Sequence, residues 1–294
     1  MYTKAKPFLL HAITSVHAGS GSEIGLVDLP IQREQHTGFP KIESSSLKGA
    51  IRYTVEQRLQ SEDAEKFELV FGSSPNMKAD NESQSSAIAF SDARVLLFPV
   101  KSMRGIFAWI TCPYVLNRFY NEMAINGTKK RVFSEIQPNS VSSNKLIVSE
   151  GKIVLEEYAF SVEENSVTKQ IADELANYIQ QDFSADVRDR IVILGDDDFN
   201  DFVRLSTEVN ARIKINSETG IVDKGALWYE ENVPPETIFY SILYTGNVRG
   251  AGTDDMKTAA DVEAFLVDEM RFPAVFQLGG NSTLGHGMLR KIWL

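Results

Sequence analysis

The chain has 294 residues, is 43% hydrophobic and carries a formal net charge of −10 at pH 7. That suffices for one large domain or two small ones, and a single cysteine, Cys112, excludes an intrachain disulfide framework and a cysteine-based zinc site, as expected of a reducing, cytoplasmic home. The acidity is concentrated: Gly151–Asp201 holds 13 acidic and 4 basic side chains, which leaves the other 243 residues at about −1, so overall charge does not exclude a polyanionic partner.

Lys4 and Lys6 precede "PFLLHAITSVHAGSG", which imitates a secretory leader, but His11, Thr14 and Ser15 interrupt the apolar run and its alternation predicts a first β-strand. Nothing approaches 18 consecutive apolar residues, so no membrane span is expected. The glycine-rich "HAGSGSEIG" then leads into "GLVDLPIQREQHTGFPK", Gly25 to Lys41, which isolates one carboxylate, Asp28, among apolar residues. "ESSSLKGAIRYTVEQRL" predicts a helix, with Ser44 or Ser45 as N-cap and Leu47, Ile51, Val55 and Leu59 as its buried stripe. Ser73 to Ser86 has the composition of a mobile loop. "AIAFSDARVLLFPV" and "GIFAWIT" read as strands, and Pro113 opens a helix through "YVLNRFYNEMAI". This region is locally basic, with Lys101, Arg104, Arg118, Lys129, Lys130 and Arg131 against Glu122.

The acidic segment predicts a strand at "KIVLEEYAF", a helix near Lys169 to Gln181, and then "IVILGDDDF"; its "GDDDFND" run lacks EF-hand spacing and is expected to be a solvated loop. "NARIKINSETGIVDKGALWYEE" has the marks of a hairpin turning at Ser217 to Gly220, with Arg212 and Lys214 on one face of its first arm and Ala211, Ile213 and Ile215 on the other. A strand at "ETIFYSILYTG", a helix at "MKTAADVEAFLVDEM" and two strands around "GGNSTLGHG", Gly279 to Gly287, complete the chain. With no internal repeat and no long linker, this order predicts a single α+β domain over residues 1–294, a sandwich with insertions.

The residue types alone leave each candidate site open. Glycines admit positive φ and let backbone N–H groups approach an anion, but "GGNSTLGHG" lacks the Lys-Ser/Thr ending of a P-loop, so a tight turn and a phosphate cradle both fit it. Lys48 and Arg52 share a helix face near an anion-favouring N-terminus, where a solvated basic face is the plainer alternative. His17 and Asp28 are the early pair able to serve acid–base chemistry or hold an ion, or else a glycine-turn partner and a turn residue before Leu29-Pro30; Glu230 and Glu231 offer a further carboxylate.

In combination, "SVHAGSGSEIGLVDLPIQREQHTGFPKIESSSLKGAIR" and "FQLGGNSTLGHGML", with "GIFAWITCPYVLNRF" and "EVNARIKINSETGIVDKGALWYEENVPPETIFY" between them, resemble the RAMP proteins of CRISPR effector complexes. The similarity is greatest to the multi-copy backbone subunit of the type III-B, or Cmr, complex. It implies a ferredoxin-like palm related to the RNA-recognition motif, a β-hairpin thumb at about 204–244 and inserted elements. It also implies stacking of copies into a helical filament on guide RNA beside other Cmr subunits, with single-stranded target RNA cut at regular intervals in antiviral defence.

Carried over residue by residue, the resemblance makes Asp28 the cleavage residue, as general base or as ligand of a divalent ion (Mg²⁺ or Mn²⁺), beside His17 and a thumb-base carboxylate shared between Glu230 and Glu231. Lys48 becomes a guide-phosphate contact, with Ser46, Arg52, Arg212, Lys214 and the loop residues Gly279, Gly280, Asn281, Ser282, Thr283, Gly285 and Gly287 as further RNA-binding positions. Two alternatives stand beside this: a non-catalytic guide-binding subunit, and a nuclease that matures guide precursors alone.

Overall fold

The computed structural model describes residues 2–22, 25–73, 83–127, 135–179, 184–250 and 252–294. Most of the loop expected over Ser73 to Ser86, and the basic residues Lys129, Lys130 and Arg131, lie outside them. Fifteen strands occur among the described residues: β1 (Lys4–Ala12), β2 (Lys41–Ile42), β3 (Ile88–Phe90), β4 (Ala93–Lys101), β5 (Phe107–Thr111), β6 (Ser140–Val141), β7 (Lys152–Leu155), β8 (Tyr158–Ser161), β9 (Glu163–Glu164), β10 (Ile191–Ile193), β11 (Glu208–Ile215), β12 (Val222–Asn232), β13 (Ile238–Thr245), β14 (Val275–Gln277) and β15 (Met288–Trp293). The helices are α1 (Ser44–Glu56), α2 (Ala64–Phe71), α3 (Pro113–Ile125), α4 (Ser166–Ile179), α5 (Ser184–Arg190), α6 (Asp196–Leu205) and α7 (Ala259–Val267).

One sheet runs in the order β14-β15-β1-β13-β4-β5-β10-β6-β9, with β2 also pairing β4 and β3 also pairing β13. At its centre β15, β1, β13 and β4 each run antiparallel to their neighbours, with α1 in the chain between β1 and β4 and α7 between β13 and β15. Phe8, Leu9 and Leu10 on β1 are all fully buried, so this strand is covered on both faces and reads as a continuous apolar run. Leu47, Ile51 and Val55 close α1 onto the core as its spacing predicts, whereas Leu59 lies beyond the helix end and is half-buried.

Four local expectations need correcting. The N-cap of α1 is Glu43, and the Ser44 N–H is taken not by a neighbouring serine but by the Asp92 carboxylate at 2.9 Å. "KIVLEEYAF" is a hairpin of β7 and β8, turned at Glu156, whose φ is +49°. The "GDDDFND" run is no loop: Asp196, Asp197 and Asp198 form the first turn of α6, where carboxylates are favoured by the helix dipole. Finally, the protruding hairpin is β11–β12, Glu208 to Asn232; within the expected 204–244, Arg204 belongs to α6 and β13 is a buried central strand.

Candidate nucleic-acid interface

The hairpin stands clear of the core, and its face bearing Val209, Ile213, Ile215, Leu227 and Tyr229 is exposed. Cross-strand pairs Ala211↔Tyr229 and Ile213↔Leu227 place these apolar side chains together, with Arg212 and Trp228 opposite each other on the reverse face. This register separates Arg212 from Ala211 and Ile213 as expected; beyond Ile213 the ladder is irregular, with Ile215 opposite Val222. Each cation is met by an acid within the hairpin: Arg212 lies 3.4 Å from Glu230 and Lys214 lies 3.3 Å from Asp223.

At the hairpin base the free edge of β12 takes up two separate pieces of the N-terminal region. The loop carrying Asp28 pairs in parallel beside it: Asp28 and Leu29 N–H groups donate to the Tyr229 carbonyl at 3.1 and 3.0 Å, and the Glu231 N–H donates to Leu29 at 3.0 Å. The Asp28 carboxylate in turn accepts the Tyr229 N–H at 2.7 Å through Oδ2, while Oδ1 has no hydrogen bond among the described residues. Two residues further along, His17 Nδ1 lies 2.7 Å from the Glu231 carbonyl. Since a carbonyl only accepts, Nδ1 carries the proton and Nε2 is the nitrogen left for other work. The anchor points of Asp28 and His17 on β12 are two residues apart, about 7 Å along the strand.

Successive residues on β12 face opposite ways, which separates the two glutamates the sequence left together. Glu231 is buried and saturated: it accepts Arg33 at 2.5 Å, the Ile31 N–H at 3.1 Å and the Thr207 hydroxyl at 2.7 Å. Glu230, also buried, turns toward the hairpin's cationic face and the glycine loop, taking Arg212 and, at 2.6 Å, Asn281 Nδ2.

The glycine loop docks on the same ground. Gly280 N–H donates to the His17 carbonyl at 2.9 Å, and Gly287 N–H donates to Ser15 at 2.8 Å. At Gly279, φ is +91° and a Cβ would stand 2.3 Å from the His17 carbonyl oxygen; this close approach requires glycine. Asn281 is itself left-handed, and Ser282 and Thr283 are exposed in a single 3₁₀ turn, with Gly285 (φ +79°) beyond it. Asp28, His17, Glu230, Arg212 and Asn281 are thus gathered by the hairpin, the glycine loop and two pieces of the N-terminal region.

The α1 residues form a separate group. Gln32 joins the two, donating to Gly19 and to the Ser46 hydroxyl at 3.0 Å and accepting the Glu43 N–H. Lys48 donates to Ser86 at 2.8 Å; burial lowers its pKa, with Arg52 pushing the same way. Arg52 donates to the Gly72 carbonyl and stacks 4.9 Å from the Phe67 ring, so it also fastens α2 to α1. Sequence reasoning missed Arg33, Gln32 and Tyr229. Two act through polar side chains in the Asp28 loop, and Tyr229 through its backbone, for which no residue-type signal exists.

No group of three or more His, Cys, Asp or Glu side chains converges among the described residues. Asp28 offers one carboxylate with one oxygen already engaged, so the chain's own donors do not fit a resident metal. Among the described residues no helix is long and apolar enough to cross a membrane.

The model of the RAMP superfamily matches residues 9–290. The chain belongs to the RAMP superfamily. This RAMP protein is 38% identical over 287 residues to the CRISPR system Cmr endoribonuclease Cmr4 of Pyrococcus furiosus, covering 96% of this chain and 92% of the relative. It is 28% identical to the CMR subunit Cmr4 of Saccharolobus solfataricus over 100% of this chain and 97% of that one. The crystal structure of oligomeric Cmr4 from P. furiosus superposes with a TM-score of 0.70 at 30% identity, over 99% of this chain and 98% of the other. The mixed α and β structure is the α+β class expected of a RAMP chain.

Proposed function

We propose that this RAMP protein is the guide-RNA-binding backbone subunit of a type III-B Cmr ribonucleoprotein, stacked in several copies, and the endoribonuclease that cuts target RNA at regular intervals. Support comes from the 38% identity to a Cmr endoribonuclease over nearly the whole chain and from the hairpin base. The strands β15-β1-β13-β4, with α1 and α7 interposed, follow the β-α-β-β-α-β order of a ferredoxin-like palm, and β11–β12 is its thumb. The observation that carries cleavage is one carboxylate, Asp28, presented at the foot of an exposed apolar hairpin by the backbone of Tyr229.

In this reading the apolar thumb face wedges against bases and displaces a nucleotide, which then reaches the in-line geometry that a stacked duplex denies it. Asp28 Oδ1 takes the proton of the 2′-OH as that oxygen attacks the adjacent phosphorus; a 2′,3′-cyclic phosphate forms, the P–O5′ bond breaks, and the departing 5′-oxygen takes a proton from water. His17 Nε2, oriented through Nδ1, faces the charge that develops on the phosphate. Lys48, Ser46, Arg52, Arg212, Lys214 and the loop Gly279–Gly287 hold RNA phosphates, while sequence is read by base pairing. Mg²⁺ or Mn²⁺ arrives with the RNA phosphates rather than residing in the protein.

The test compares wild type, Asp28→Asn and Asp28→Ala, each assembled with guide RNA and partner subunits in Mg²⁺ or Mn²⁺, scoring target binding and cutting in the same samples. Asn keeps an acceptor for the Tyr229 N–H and loses the base, so binding persists and cutting falls at least about 100-fold. If Asp28→Asn cuts like wild type, Asp28 only shapes the loop and the chain is a guide-binding scaffold.

A further inference from the structure

The segment that carries His17 also controls what can reach its ring. Val16 and Ala18 are buried, while His17 and Gly19 alternate onto the outer face of the same extended stretch. That stretch is fixed along its length. Gly19 bridges Ile31 antiparallel, the Gln32 N–H donates to the Ala18 carbonyl at 2.8 Å, and Gln32 Nε2 donates to the Gly19 carbonyl at 3.1 Å. The Gly280 N–H holds the His17 carbonyl from the other side.

The imidazole is confined as closely as the backbone. Nδ1 is tied to the Glu231 carbonyl, and a Cβ on Gly280 would stand 3.2 Å from Cδ2. Toward Gly19 the ring presents Nε2: a Cβ there would stand 2.7 Å from that nitrogen and 3.4 Å from each of the carbons beside it, Cδ2 and Cε1. Gly19 does not have a left-handed φ, so its backbone conformation does not call for glycine. The space at Nε2 does. This nitrogen makes no hydrogen bond among the described residues and is not closed off from solvent. An acceptor oxygen bonds a ring nitrogen at about 2.7–2.9 Å, and a methyl group crowded against the same nitrogen leaves it no room.

We propose that Gly19 is a positioning residue of the cleavage site, whose missing side chain leaves the opening through which a non-bridging oxygen of the scissile phosphate reaches His17 Nε2. This rests on the reading of His17 given above. With a second proton on the ring, Nε2 donates to that oxygen while Nδ1 stays on Glu231.

Two readouts test this. Diethyl pyrocarbonate acylates an accessible, unprotonated imidazole nitrogen, and peptide mass mapping of the full chain scores each histidine. His17 should be modified in wild type and protected in Gly19→Ala, while the exposed His36 reacts alike in both; local unfolding would instead expose His17. In the assembled complex, Gly19→Ala and His17→Ala should each slow cutting about 100-fold with target binding retained. Gly25→Ala, where a Cβ meets nothing within 4 Å, should cut like wild type. The variant carrying both Gly19→Ala and His17→Ala has no ring to crowd, folds whether or not the single one does, and should cut no more slowly than His17→Ala alone. An unmodified His17 in wild type, equal modification in Gly19→Ala, or a slower double variant overturns the proposal. Gly19→Ala cutting like wild type overturns it too and leaves the site as read above intact, whereas His17→Ala cutting like wild type removes that reading itself.

Discussion

Glu230 and Glu231 are adjacent and chemically identical, yet they do different work. Glu231 holds Arg33, the Ile31 N–H and Thr207 in a buried knot that fixes the Asp28 loop to β12. Replacing it with Gln leaves Arg33 beside a neutral group, and we expect a loss of about 3 kcal/mol in urea-unfolding stability. Glu230→Gln keeps an acceptor for Asn281 and forfeits only a long contact to a partly exposed Arg212. Its stability should change by less than about 1 kcal/mol; equal losses in the two variants would refute the division. By residue type alone Asp28 fits a turn residue and His17 a glycine-turn partner; only the motifs around them marked the two as site candidates. The division between the glutamates was not legible, since it depends on which segments cover each face of β12, and these lie from 18 to 200 residues away in the chain.

The glycine loop shows how one element mixes legible and hidden requirements. Its composition announced a turn, but not which glycines are indispensable. Gly279→Ala would drive a Cβ to 2.3 Å from the His17 carbonyl, whereas at Gly285 a Cβ meets nothing within 4 Å and only the positive φ is strained. We therefore expect Gly285→Ala to cost about 1–2 kcal/mol and Gly279→Ala clearly more, with guide binding lost in the latter; comparable unfolding midpoints would contradict this. Helix α1 was legible from its stripe, but its cap was not, because Asp92 reaches Ser44 from 48 residues away. Burial raises the Asp92 pKa, yet the Ser44 N–H and Lys41 outweigh it and hold the carboxyl below its ordinary value. Its stabilisation is therefore complete above the unfolded pKa of about 3.9 and fades as pH falls through the lower folded value. Asp92→Ala should cost about 1 kcal/mol at pH 7, and its gap from wild type should narrow below about pH 4; a gap that widens in acid would show that the carboxylate is not the cap.

Across the whole molecule, charge is sorted rather than balanced, and this bears on how an acidic chain handles RNA. Glu157, Glu163 and Glu164 are exposed on the segment that carries most of the negative charge, while the cations of the proposed RNA track are tied to internal partners such as Asp223 and Ser86. A single protomer should accordingly bind RNA weakly, and stacked copies should bind through many small contributions. For assembled chains on single-stranded RNA, Lys48→Met should flatten the slope of log K against log salt by about 0.7 per protomer, the value for one neutralised phosphate. Changing Glu157, Glu163 and Glu164 to Gln acts at a distance instead. It should raise affinity for unrelated RNA several-fold at low salt and have little effect near 0.3 M, where the Debye length falls to about 6 Å. Filter binding across a salt series separates the two. A triple variant that gains as much at high salt as at low would mean that those carboxylates lie in direct contact with the RNA and not on an outward, repelling face.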